Sequence, residues 1–190
     1  MKSFLWILVS LVISGCGRYE GASNRKLTWA NAVKVPGVEN AYRVSPALFR
    51  GEQPTSIGMK NLEKLGIKTV VSLRAFHSDH DLIEGTDLDY ERITFQTWDP
   101  EEDELIRFLK IATDSKRLPV LVHCLHGSDR TGAMCAAYRI VVEEWSKEDA
   151  IREMKSGGYG HHKIWIHLES WIEELDVERL KSAIGLSESI

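Results

Sequence analysis

The sequence predicts a single α/β domain with a short central, mostly parallel sheet flanked by helices. Three observations carry this reading. Residues 68–73 and 119–122 are short, apolar or β-branched runs without polar alternation, the pattern of strands covered on both faces. The segments between them repeat apolar residues at helical spacing. The C-terminal third carries helical patterns alone, so the sheet is assembled from the earlier strands.

In chain order, residues 42–44 and 48–50 read as short strands around Ser45-Pro46. A helix follows, with Thr55 as N-cap, Met59, Leu62 and Leu65 on one face, and Gly66 as its stop. The buried strand 68–73 comes next, then a helical turn over 79–84 and an alternating strand over 90–95. Residues 101–113 place Leu105, Phe108, Leu109 and Ala112 on one stripe. Asp99-Pro100-Glu101-Glu102 has the form of its start, with Asp99 as N-cap and Pro100 as first helical residue. Residues 119–122 form the central strand, and a helix over 130–142 packs closely through Ala133, Ala136 and Ala137. Ser146, with Asp149 three residues on, caps another helix that Gly157-Gly158 ends. A last helix covers 163–180.

The N-terminus has a different character. Lys2 precedes a ten-residue run from Phe4 to Ile13, apolar but for Ser10, too short to span a bilayer and of signal-peptide length. Ile13-Ser14-Gly15-Cys16 resembles a bacterial lipobox. That resemblance implies cleavage before Cys16, acylation of its thiol, and a lipid-anchored protein of the cell envelope, at the outer membrane facing the periplasm. The expected layout is a signal peptide over 1–15, anchor and tether over 16–40, the folded domain over 41–180 and a tail over 181–190. A net charge of −4 gives no basic face for nucleic acid. Of the three cysteines, Cys16 goes to lipid, Cys135 reads as a small buried residue and Cys124 carries the chemistry.

Cys124 stands in HCLHGSDRTG, between a strand and a helix. A turn there aims backbone N–H groups inward, the helix N-terminus adds partial positive charge, and Gly127 lets the chain curl. Arg130 offers a planar fork for two phosphate oxygens. This is an anion cradle built from Leu125, His126, Gly127, Ser128, Asp129 and Arg130, and it favours the thiolate of Cys124 as nucleophile. Thr131 is placed to donate its hydroxyl to the sulfur, and His123 to orient the loop from behind.

His-Cys-five residues-Arg-Thr-Gly resembles the signature of the cysteine-dependent protein tyrosine phosphatase superfamily. The chain's length and its segments 42–54 and 65–74 resemble the dual-specificity branch, in particular small bacterial members. The resemblance implies hydrolysis of phosphate monoesters through a cysteinyl phosphate, with no cofactor or metal. Its expected substrates are phosphotyrosine or phosphoserine proteins, with a phospholipid or inositol phosphate as the alternative. A carboxylic acid protonates the leaving oxygen, and the same carboxylate then activates water. Asp99 is the first choice for that acid; Glu101, Glu102 and Asp103 lie on the same turn, and Asp129 sits inside the loop. Asp129 better suits a structural role, fixing the loop or Arg130. Two other function classes fit a cysteine loop: a catalytically idle phosphate-binding module, and a thiol oxidoreductase with Cys135 as resolving thiol.

Overall fold

The computed structural model describes residues 28–186. The signal peptide, Cys16 and the first part of the expected tether lie outside the described residues. Six strands form one sheet: β1 (Asn31–Ala32), β2 (Tyr42–Arg43), β3 (Leu48–Gly51), β4 (Thr69–Ser72), β5 (Asp89–Arg92) and β6 (Val120–His123), in the order β1-β2-β3-β6-β4-β5. β3, β6, β4 and β5 run parallel, while β1 and β2 join antiparallel at one edge. β6 is therefore interior, flanked in register by β3 and β4, with His123 opposite both Gly51 and Ser72.

Alternation along the strands sorts the core into two layers. Val120 and Val122 of β6, with Val71 of β4, pack into the larger cluster under α3 (Glu102–Thr113), α4 (Asp129–Val141), α5 (Lys147–Ser156), α6 (Ile166–Glu174) and α7 (Val177–Ala183). Leu121 and Val70 point the other way, against Met59 and Leu62 of α1 (Ser56–Leu65). Both faces being covered explains why these strands read as unbroken apolar runs. α2 (His80–Ile83) is a single turn beside α1. Helix starts follow the sequence at two places: Thr55 Oγ1 accepts from Gly58 N at 3.1 Å, and Ser146 Oγ from Asp149 N at 3.1 Å. Gly66 closes α1 in the left-handed conformation, φ +91°.

Four expectations are corrected. The fold begins before Ala41: Val35 and Val38 are buried, β1 pairs with β2, and the Gly37 carbonyl accepts from Thr55 N at 2.9 Å. This segment turns at Pro36-Gly37 and has no periodicity to announce it. Glu101, not Asp99, is the N-cap of α3, and no side chain caps that helix. The expected single last helix is a 3-10 turn, Lys163–Trp165, then α6, then α7. The break falls at Leu175, because the Asp176 carboxylate accepts from Arg179 N at 3.0 Å and starts a new helix. α7 thereby carries helix to Ala183, inside the expected tail.

Candidate active site

Parallel strands end together, and the loop after the interior strand lies at that edge of the sheet. Residues 124–128 connect β6 to α4 there. Gly127 takes φ +67°, and a Cβ at this position would come within 2.5 Å of the Gly51 carbonyl carbon and oxygen. The loop thus lies directly on the end of β3, which is possible only with glycine. Arg50, also from β3, is 2% exposed and donates from Nη2 to the Gly127 carbonyl at 2.7 Å and to that of Ser128 at 3.4 Å. Its guanidinium lies 3.9 Å from the Tyr159 ring centroid. With these carbonyls engaged, the backbone N–H groups of residues 125–128 have no acceptor among the described residues. They are available to an anion, as are the first N–H groups of α4.

Cys124 sits at the base of this loop, buried and with a free thiol. Arg130, in the first turn of α4, donates to the Leu73 carbonyl at 3.2 Å and lines the cleft above. Cys135 is also free and is fully enclosed; burial pushes its thiol up to about 11. Thr131 Oγ1 is buried without a hydrogen-bond partner, so the expected donation to the Cys124 sulfur is not formed.

A polar chain supports the loop from behind. His123 Nδ1 lies 3.2 Å from the Cys124 carbonyl oxygen and its Nε2 lies 2.8 Å from Asp79 Oδ2. Asp79 Oδ1 accepts from Gln53 Nε2 at 2.9 Å and faces His77 Nε2 at 3.2 Å. Gln53 Oε1 in turn accepts from Arg74 at 2.9 Å. Burial alone raises the Asp79 carboxyl, but the His123 and Gln53 contacts outweigh it and hold the group below the usual range. His123 therefore does what its position suggested, whereas Asp79 and Gln53 gave no sign beyond a helical turn and a Gln-Pro step.

Asp129 is equally committed. Its Oδ1 accepts from the His162 backbone N–H at 2.8 Å and lies 3.3 Å from His161 Nδ1, while Oδ2 lies 2.8 Å from His162 Nδ1. Burial opposes ionisation here too, yet the two histidines bring the carboxyl down to about 2. Asp129 is thus ionised near neutral pH and held by both histidines.

The cleft over the loop has a volume of about 510 Å³. Leu125, His126, Asp129 and Arg130 form one side, Phe95 to Trp98 another, and His162, Ile164 and Trp165 a third. Exposed apolar side chains ring its mouth: Phe76 at 97%, Ile164 at 77% and Trp98 at 64% exposure. Asp99, next after Trp98, is exposed and does not line the cleft. Glu102 pairs with Arg179 at 3.0 Å, and Asp103 lines a separate groove with Arg107 and Lys110. Glu101 is exposed at the helix start. Glu104 is pushed up by burial and by the nearby Glu101 and Asp99 carboxylates. Among the described residues, no group of three or more His, Cys, Asp or Glu side chains is arranged to hold a metal ion.

Comparison with known proteins agrees with this geometry. Residues 32–167 match the family described as a dual-specificity protein tyrosine phosphatase fused to NAD+ kinase. The dual-specificity protein phosphatase TpbA of Pseudomonas aeruginosa is 35% identical over 174 residues, spanning 89% of this chain and 77% of TpbA. Its crystal structure superimposes with a TM-score of 0.73 at 33% identity, covering 83% of this chain and 96% of that one. A cysteine-to-serine variant of TpbA in complex with phosphotyrosine gives the same TM-score, 0.73. The human phosphatidylglycerophosphatase and protein-tyrosine phosphatase 1 is 28% identical over 133 residues, 63% of this chain and 66% of the relative. By its loop, its sheet and these likenesses, the chain belongs to the dual-specificity branch of the cysteine-dependent protein tyrosine phosphatase superfamily.

Proposed function

We propose that this enzyme hydrolyses phosphate monoesters of proteins, phosphotyrosine first among them, through a covalent cysteinyl phosphate. The carrying observation is one loop that combines a buried thiol, unclaimed N–H groups and Arg130. Cys124 attacks phosphorus, and the ester oxygen leaves. The N–H groups of residues 125–128 and the Arg130 fork hold the equatorial oxygens, whose charge grows toward the transition state. Asp99 is assigned as the acid that protonates the leaving oxygen. It directly follows Trp98 of the cleft wall, in the turn that the Gln96–Asp99 bridge closes. Glu102 and Asp129 are engaged by Arg179 and His162, and Asp103 lines a separate groove.

The apolar mouth, with Phe76, Trp98 and Ile164, suits an aryl phosphate or a phosphorylated residue with apolar neighbours. The same mouth also fits a phosphorylated lipid, the second reading, which the human relative's name supports. Against a highly phosphorylated inositol stands the absence of lysine from the 124–130 loop. Cys16 is proposed to carry the lipid that anchors the domain to the cell envelope. No described helix is long and apolar enough to cross a membrane.

The test is turnover of an aryl phosphate by the full chain in the presence of a chelator, beside Cys124→Ser. Loss of turnover with phosphate binding retained supports the reading. Undiminished turnover in Cys124→Ser rejects it, and a folded wild type that binds phosphate without turnover supports the idle binding module.

A further inference from the structure

The mechanism above leaves the Asp129–His162 pair unused. Both oxygens of Asp129 are directed at histidines, and His162 is fixed to it twice, through its backbone N–H and through Nδ1, each at 2.8 Å. An ionised carboxylate only accepts, so the proton of this contact lies on Nδ1. Whenever the imidazole is neutral, its lone pair is therefore on Nε2. No described residue takes Nε2 as a partner, the side chain is 55% exposed, and His162 lines the cleft with Arg130 and Leu125. A base held in one tautomer by a third group, in the wall of a cleft over an anion-binding loop, is placed to abstract a proton from water or a hydroxyl.

We propose that His162 is the general base of the second half-reaction, the hydrolysis of the cysteinyl phosphate. A water oxygen forms its bond to phosphorus as the S–P bond breaks. Cys124 departs as thiolate, the water proton passes to His162 Nε2, and inorganic phosphate is released. The imidazolium, stabilised by the Asp129 carboxylate, returns its proton to solvent through its exposed edge. This rests on the thiol phosphatase reading and separates two duties that were expected of one carboxylate. Asp99 serves the leaving group, while His162, already in the cleft wall, serves the water.

The groups that set this histidine's charge all lie close by. Asp129 comes from the start of α4 and His126 from the loop, its ring centroid 6.2 Å from that of His162. His161 and Lys163 flank it in the chain, and Arg130 and Arg74 line the same cleft. His161 is itself enclosed, its side chain 3% exposed, with Glu169 Oε1 3.9 Å from its Nε2.

The experiment compares His162→Gln and His162→Ala with wild type, all as full chains, on an aryl phosphate. In His162→Gln, kcat is expected to fall about 100-fold, while kcat/KM, which reports only steps through phosphorylation of Cys124, changes less than about threefold. Rapid mixing then releases a burst of one phenol per enzyme. Added imidazole restores turnover to His162→Ala, which a merely structural role does not allow. An equal fall in kcat and kcat/KM, no burst and no rescue overturn the proposal and leave His162 a loop support. Turnover that survives Cys124→Ser strikes instead at the thiol reading beneath it, so the two failures are distinguishable.

Discussion

Arg50 reaches from the neighbouring strand to the catalytic loop: its Nη2 donates to the Gly127 carbonyl at 2.7 Å from a fully buried position. A buried cation behind the loop turns its carbonyls away from the anion and adds positive potential beneath it. Arg50→Met removes both effects and leaves two carbonyls without their donor. The expected outcome is a loss of about 1.5–3 kcal/mol in stability, from charge-assisted hydrogen bonds, and weaker phosphate affinity. Urea unfolding and phosphate inhibition of turnover check the two effects; unchanged phosphate affinity contradicts the electrostatic part.

Gly127→Ala tests the contact between loop and β3. The substitution faces both a positive φ and backbone atoms at 2.5 Å that no rotamer can avoid. A destabilisation of about 1–3 kcal/mol is expected, together with loss of most activity. Thermal unfolding and aryl phosphate turnover measure it, and an active variant of wild-type stability rejects the described loop path.

Acid stability reads the two buried carboxylates. Asp129 and Asp79 both have folded-state pKa values below their ordinary value, Asp129 falling from 3.8 to about 2. In that window the unfolded chain binds more protons than the folded one, so stability rises with pH. The contribution is full above the ordinary carboxyl range and is lost as pH falls toward 2. For Asp129 the shift corresponds to about 2 kcal/mol. Asp129→Asn is expected to flatten the dependence of unfolding free energy on pH below 5; an unaltered slope shows that the histidine contacts do not hold this carboxylate.

The two domain thiols are expected to differ in reactivity. Cys135 is enclosed, with its thiol at about 11, whereas Cys124 lies in an anion cradle. Iodoacetate at neutral pH should modify Cys124 and spare Cys135, with phosphate protecting. Peptide mapping decides the matter, and preferential labelling of Cys135 contradicts the assignment.

How legible this was in the sequence depends on how local each signal is. The 124–130 loop, the apolar strands and the Thr55 and Ser146 caps are stretches in which neighbours in sequence are neighbours in space. They were therefore readable, as was the family. Asp79, Gln53 and Arg50 meet the loop only because β3 and β4 flank β6, and a polar residue on a turn gives no hint of such a partner. His161 and His162 carry no local signal, because their partner, Asp129, lies 33 residues away from His162. The last helix reads as continuous in the sequence because the apolar spacing survives the break, and only the Asp176 cap reveals it. Asp99 followed by proline resembled a helix start, but that duty falls to Glu101.

The central claim is that Cys124 takes the phosphoryl group. Its most direct measurement is acid quenching of the full chain during turnover of an aryl phosphate, followed by mass analysis of the peptide containing residues 123–130. A phosphate increment on Cys124, increased in His162→Gln and absent from Cys124→Ser, is the predicted result. Steady turnover with no phosphorylated Cys124 in any variant contradicts the account.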